Sequence, residues 1–457
     1  MRAAPVPTAV VRAAYWLILA VGLGMMLRLN MPGHLSVDSI LALREGRLGI
    51  RETWNPAIFG WLLGVTDRIW PGGGLVVVLD GVLLFGAWGA LALLRPRASW
   101  LAPLVAAGAV ALPQVLIYPA IVWKDVLFAT TTVAGFVVLA VAARGGMNRP
   151  LPALAIAALL LAAAGLFRQN GLVLAPFAAL AITAVAWRAG WRRALMLGAG
   201  WLAAVAALTF VLSAVAKPEG PGLPDRAGDR GVRILQSYDL VGAAVLDPQR
   251  RMPTIAGARP GLDDRIRAVA PRLYSPTRVD YLSRDPFFGD ELGQLTPEDL
   301  RREWVRLITE DPVVYLRVRA EAFRWVLATP DIDRCLPIHL GVSGPAFALK
   351  DLGMAERLDR NDQRIFNYVT WFLDTPAMSH LAFAALALAV GVLLLIRRDP
   401  ADLVMAALLA GTLVFTATFL LISIACDYRY LYALDIAAVT GALYFLLDPR
   451  LRRGERA

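Results

Sequence analysis

Apolar residues along this chain come in long unbroken blocks rather than in the alternation of a strand or the stripe of a surface helix. Each block holds about 20 nearly uncharged residues, enough to cross a hydrocarbon layer of ~30 Å as a helix. Blocks at roughly 13–30, 74–94, 100–120, 126–143, 151–167, 171–187, 194–215, 379–396, 401–424 and 430–447 predict about ten transmembrane helices. Arginines cluster in the short gaps between them. An inward N-terminus puts Arg95/Arg97, Arg144/Arg149, Arg188/Arg192/Arg193, Arg397/Arg398 and Arg450/Arg452/Arg453 on the cytoplasmic side, as the positive-inside bias requires, and makes both termini cytoplasmic. The first block follows Arg2 and Arg12 as a signal peptide would, yet no small-x-small cleavage site follows it, so it reads as a retained helix.

Two stretches depart from this pattern. Pro56 to Trp70 is apolar but short and is broken by Asp67, Arg68 and Pro71-Gly72-Gly73-Gly74, which predicts a surface or re-entrant helix. The glycine run lacks the Lys-Ser/Thr of a phosphate-binding loop and reads as a hinge. From Lys217 to Met378 the apolar blocks stop, and a segment the size of a small domain faces outward, opened by the linker-like Lys217-Pro218-Glu219-Gly220-Pro221-Gly222. Within it Thr296-Pro297-Glu298-Asp299 gives an N-cap, a proline at the first helical position and early acids for a helix through Ile308. A second helix follows Asp311-Pro312. Val313, Leu316, Ala320, Phe323 and Leu327 form its expected apolar face against the membrane helices, with Arg317, Arg319, Glu321 and Arg324 elsewhere on its surface. The fold class is therefore an all-α polytopic integral membrane protein of about ten spans. Its parts are an N-terminal membrane module (1–216) with a first outer loop at 31–73, an outward-facing soluble domain (217–378) between helices 7 and 8, and a C-terminal membrane module (379–457).

Composition narrows the function classes. A hydrophobic share of 58% fits the membrane assignment, and the net charge of +10 does not signal nucleic acid, because the arginines lie between apolar blocks rather than on one soluble face. Two cysteines, Cys335 and Cys426, are too few for a disulfide framework and lack zinc-site spacing, but they can pair if both face an oxidising compartment. With three histidines and no Ser/His or Cys/His pair at recognisable spacing, the sequence does not point to a hydrolase triad. Asp331-Ile332-Asp333, with His339 as the nearest further ligand, is too short a pattern for a metal site.

The candidate chemistry begins at Pro32-Gly33-His34-Leu35-Ser36-Val37-Asp38-Ser39, centred on Asp38 and followed by the turn Trp54-Asn55-Pro56. Asp38 suits a functional acid or base; it equally suits the cap of a short helix starting near Ile40. On the same face the topology places Trp123-Lys124-Asp125, Arg168-Gln169-Asn170 and Cys426-Asp427-Tyr428-Arg429-Tyr430. Lys124, Arg168 and Arg429 break the cytoplasmic bias in three tight outer turns, as an anionic substrate would require. Each cluster alone also has a plain reading, since Lys124-Asp125 suits a helix-end pair and interfacial Arg and Tyr snorkel to headgroups. Arg44, Arg47, Arg51 and Arg68 in the first outer loop either are tolerated loop charge or meet an anionic lipid or phosphate. Asp80 and Asp435, inside spans, read as paired structural groups.

The acid in Ser36-Val37-Asp38-Ser39 and the Trp54-Asn55-Pro56 turn leading into an amphiphilic helix resemble the GT-C superfamily of membrane glycosyltransferases. Further matches are the helix starts at Lys124-Asp125, Arg168-Gln169-Asn170-Gly171 and Arg429-Tyr430-Leu431-Tyr432. The resemblance implies that Asp38 is the general base and that Lys124, Arg168 and Arg429 hold the phosphate of a lipid-linked sugar. Asp125, Asn170, Tyr430, His34 and Trp54 complete the implied substrate contacts. Asn55 stands where relatives often carry His, and the loop has one evident acid where several relatives have two, so no metal or other cofactor is implied. The implied function is an inverting glycosyltransferase in a bacterial inner membrane. It would move a monosaccharide from a polyprenyl-phosphate carrier to an envelope glycan, lipid or protein on the outer face. A transporter or flippase of an anionic envelope precursor is the alternative; it would favour repeated halves and charges or broken helices near the midplane, whereas here the polar clusters gather at one face and no repeat is evident. A non-catalytic assembly partner has no need of three cationic helix starts.

Overall fold

The computed structural model describes residues 8–144, 150–217, 227–287 and 291–451, with the backbone alone for 227–230. Arg149, Arg452, Arg453 and most of the 217–222 linker lie outside them. The described residues are helical, joined by loops that make only isolated bridges such as His34 with Ile121 and Leu35 with Val342. Eight helices are long and apolar enough to cross a membrane: Thr8–Asn30, Gly74–Leu91, Lys124–Arg144, Gln169–Ala189, Trp191–Val215, His380–Arg397, Pro400–Ile422 and Tyr428–Leu447. The chain is a multi-pass membrane protein on that evidence. Two expected spans differ. The 100–120 block is two helices, Leu101–Ala111 and Pro113–Ala120, bent by 77°, because Pro113 has no N–H to give the first helix and Leu112 is extended before it. Leu151–Phe167 has 17 residues and covers about 25 Å at 1.5 Å per residue, short for a span.

Lys124–Arg144 is apolar all round because it is surrounded on every side. It packs against Gly74–Leu91, Leu151–Phe167, Pro400–Ile422 and Tyr428–Leu447, and almost all of it is buried. Polar groups inside this core are paired: Asp80 accepts from Thr130 (2.5 Å), and Asp435 meets His380 (2.8 Å) and Tyr428 (2.9 Å). At one end of the bundle Arg95 bonds Asp399 (2.7 Å) and both Arg95 and Arg397 reach Asp402. The candidate site lies at the other end.

The 217–378 segment divides in two. Residues from Ile234 to Ala322 build a core of their own, while Val326, Cys335, Val342, Leu349, Val369 and Met378 pack into the core of the membrane helices. Helix Pro297–Glu310 starts as expected, with Thr296 accepting from the Asp299 N–H (3.1 Å). In the next helix, Pro312–Ala328, only part of the expected apolar face holds: Phe323 and Leu327 pack against the core of the membrane helices, and the rest of it does not. Val313 is 61% and Leu316 53% exposed, and the buried residues are Val318, Arg319, Ala322 and Val326. Arg319, assigned to the surface by its charge, is fully buried. It pairs with Asp239 (2.6 Å) and donates to the Ser423 carbonyl (2.9 Å), satisfying the end of helix Pro400–Ile422. A buried ion pair supplies the contact that periodicity assigned to Leu316. Cys335 and Cys426 form a disulfide across 91 residues, fastening this segment beside the site.

Candidate active site

The site is built on the first loop. After Asn30 the backbone of His34 and Leu35 runs between two others. His34 donates to the Ala120 carbonyl (2.9 Å) and accepts from Val122 (3.0 Å), while Leu35 donates to Gly341 (2.9 Å) and accepts from Ser343 (2.9 Å). This clamp sets Ser36 as the N-cap of helix Val37–Leu48, with Ser39 Oγ accepting the Ser36 N–H (3.2 Å) and donating to the Val122 carbonyl (2.6 Å). Asp38 is therefore not the cap, and the helix begins at Val37 rather than near Ile40. Its side chain turns instead to Arg429, with Nη2 2.7 Å from Asp38 Oδ2. Asp38 remains 26% exposed and Arg429 10%. Among the described residues no hydrogen bond reaches Asp38 Oδ1.

Arg429 sits in the short turn Tyr428–Leu431 before the last helix. Its guanidinium also meets Asp427 (3.0 Å) and Asp125 (3.7 Å) and lies over the Trp123 ring, 4.7 Å from its centroid. Arg168 ion-pairs with Asp125 and is held between Phe419 and Tyr430, 5.0 Å from each ring. Lys124 Nζ is 3.5 Å from Asn55 Oδ1, and Asn55 Nδ2 donates to the Asp38 carbonyl (3.2 Å). Three cations and three carboxylates, from four separate stretches of chain, thus form one charge-balanced network. Burial alone would raise the Asp38 carboxyl. The Arg429 and Lys124 charges outweigh it and hold the group below its ordinary range, so it is ionised at neutral pH.

The other implied contacts are less central. Asn170 donates to Thr418 (2.9 Å), and Tyr430 stacks on Phe419 as well as on Arg168. Trp54 is 41% exposed and makes no described polar contact. His34 is not presented to a substrate. It is buried, with Nε2 on Asn30 (3.1 Å) and Nδ1 accepting the Gly341 N–H (3.0 Å). Burial, with the His339 and Arg357 charges, lowers its pKa to about 3. The 3.6 Å approach of Asp362 is therefore not an ion pair, since Nδ1 carries no proton there.

His339, weighed in the sequence only as a metal ligand beside Asp331 and Asp333, is a member of this site that the sequence reading did not place here. Its ring lies against Trp123, 6.3 Å between centroids, and its Nε2 has no hydrogen-bond partner among the described residues. Burial lowers its pKa, and Arg429 adds to that effect. Nothing in the local sequence marks it, because it reaches the site only through the 330–345 segment folding over the first loop. Of the first-loop arginines, Arg44 is bound by Asp351 and Glu52 (2.6 Å each) and Arg47 by Asp67 (2.7 and 2.8 Å). These two are loop charge neutralised within the protein. No family model matches the chain, and no curated protein or solved structure matches it either.

The arrangement suits an anionic ligand. An ionised carboxylate with an oxygen that no described residue bonds stands beside Arg429 and Lys124, and the cations of the cluster, Arg168 included, are held by side-chain carboxylates, an amide and aromatic faces. A phosphate entering beside Asp38 competes with those carboxylates for the same donors.

Proposed function

We propose that the chain is an inverting glycosyltransferase of GT-C type, taking a monosaccharide from a polyprenyl-phosphate carrier to an envelope glycan, lipid or protein. The observation that carries the reading is the contact of Asp38 with Arg429 inside a cluster that also gathers Lys124 and Arg168. In the reaction the donor phosphate displaces the Asp38 carboxylate from Arg429. Freed of that pair, Asp38 takes the proton of the acceptor hydroxyl as its oxygen bonds to the anomeric carbon. The bond from that carbon to the phosphate oxygen breaks on the opposite face, and its electron pair stays with the carrier phosphate. Negative charge grows there, and fixed cations in a site of lowered dielectric stabilise it, a contribution typically of ~3–4 kcal/mol per well-placed donor. The base adds ~10²–10⁴-fold.

A bacterial inner membrane fits the Arg-rich, Lys-poor composition, and the periplasmic side fits the positive-inside count. The test is to incubate the purified protein in vesicles with a panel of polyprenyl-phosphate hexoses and pentoses and an envelope extract. The expected product is free polyprenyl phosphate. Transbilayer movement of the intact donors without any release would overturn the reading in favour of a flippase.

A further inference from the structure

Helix Arg360–Thr370 lies across the end of the bundle that carries the Asp38 site. In its first turn Asn361 donates to the Leu29 carbonyl (2.7 Å), at the end of Thr8–Asn30, and in its last turn Tyr368 donates to the Ala111 carbonyl, at the end of Leu101–Ala111. Both of its ends are thus fixed at the level where membrane helices stop. The helix buries Asp362, Ile365 and Val369. Its opposite face is the row Arg360, Arg364, Asn367 and Trp371, spaced i, i+4, i+7 and i+11, all of them exposed. Trp371, at 80%, is the most exposed large apolar side chain described. A ring of that size is costly to leave in water, whereas Trp is enriched where hydrocarbon meets headgroups. Beside the row, Leu17, Val21, Met25 and Arg28 share one exposed face of Thr8–Asn30 at the same spacing, so Arg28 ends an apolar stripe one residue before the carbonyl that Asn361 binds. Among the described residues the guanidinium groups of Arg28, Arg360 and Arg364 form no ion pair or hydrogen bond. The acids of the segment do not neutralise them. Asp359 accepts the N–H groups of Asn361 (2.8 Å) and Asp362 (3.0 Å), Asp362 accepts the Asp359 N–H (2.9 Å), and the exposed Glu356 and Asp374 pair with none of the three arginines. Three exposed cations at the end of a lipid-facing stripe stand where lipid phosphates lie.

We propose that this face docks anionic membrane lipid: Arg28, Arg360 and Arg364 contact lipid phosphates of the leaflet on that side, and the Trp371 ring is set among the headgroups. The inference rests on the membrane assignment and not on the transferase reading. Two measurements on the full-length protein test it. Trp371→Cys supplies a single free thiol, because the two native cysteines are joined. A nitroxide on that thiol, in mixed vesicles of dioleoylphosphatidylglycerol and dioleoylphosphatidylcholine, is read by power saturation against oxygen, which partitions into lipid, and against a water-soluble nickel chelate. Its balance shifts towards oxygen relative to the same label at Arg302→Cys, a 61% exposed position on the soluble part. Native mass spectrometry in neutral detergent then compares the two lipids. Wild type retains phosphatidylglycerol over phosphatidylcholine, and Arg360→Gln/Arg364→Gln lowers that preference about 30-fold, roughly fivefold per surface cation. Arg28→Gln, on a different helix, lowers it about fivefold and covers the case in which the double variant folds poorly. A label at 371 as open to the nickel chelate as the one at 302 puts the face in water and overturns the proposal. So does a preference for phosphatidylglycerol that is the same in wild type and in both variants.

Discussion

Replacing Asp38 by Asn separates a base from a structural anion. The substitution keeps the shape of the side chain and leaves the helix start intact, because Ser36 and Ser39, not Asp38, organise it. It removes one charge from the 2.7 Å contact with Arg429, while Arg429 keeps Asp427 at 3.0 Å and Asp125 at 3.7 Å. A charge-assisted hydrogen bond contributes about 1.5–3 kcal/mol and the amide oxygen still accepts, so the expected loss of stability is about 1 kcal/mol. Turnover should fall much further, by at least ~10²-fold, as a lost general base requires. The assay is release of free polyprenyl phosphate at saturating donor, run beside binding of undecaprenyl phosphate and a thermal melt. Binding should hold or tighten, since the phosphate no longer competes with a full carboxylate for Arg429. Turnover within about threefold of wild type would refute the role of base. Turnover and binding falling together would make Asp38 a holder of Arg429 and nothing more.

Three further outcomes follow from the geometry. Arg168→Ala strips the buried Asp125 of its closest partner and should cost about 3–5 kcal/mol; adding Asp125→Asn should recover most of that stability in a melt without restoring undecaprenyl phosphate affinity, and full recovery of both would leave Arg168 a purely structural ion. A cysteine placed at Arg302 should react with a membrane-impermeant maleimide in intact cells, and one at Arg192 only after lysis; the reverse pattern would put the whole candidate site on the cytoplasmic face. His34 takes up a proton at 6.5 in the unfolded chain and at about 3 in the folded one, so its stabilising share is present above pH 6.5 and is lost as pH falls towards 3. Going from pH 6.5 to 5 should cost about 2 kcal/mol at ~1.36 kcal/mol per pH unit, and a His34→Gln variant with the same pH slope in melts would remove His34 as the cause.

The parts legible in the sequence were those whose cause is local. Apolar blocks become membrane helices because nothing else satisfies their backbone in lipid, and Thr296 caps its helix because the side chain that does so is three residues from its partner. The break at Leu112-Pro113 was equally local, since a proline inside an apolar block has a known cost, and it went unread because the block was long enough to pass as one span. Arg319 was misplaced for a different reason: its partners, Asp239 and the Ser423 carbonyl, are 80 and 104 residues away, and periodicity ranks a residue by its own polarity without asking who meets it.

The same limit reshapes the meaning of the site. Read along the chain, Lys124, Arg168 and Arg429 are cations breaking the positive-inside bias, and an anionic ligand is needed to explain them. Folded, each has a protein partner: Arg168 holds Asp125, Arg429 holds Asp38 and Asp427, and Lys124 leans on Asn55. Unbalanced charge therefore no longer argues for a ligand. What does is the kind of balance: Asp38 and Asp427 are both part-open to solvent, Asp38 the more so and ionised, while Asp125 is sealed. A network built only for stability gains most from burying all its ions under matched partners. This one leaves its outermost anion replaceable, and an incoming phosphate would take the place of that anion on Arg429 while setting Asp38 free to accept a proton.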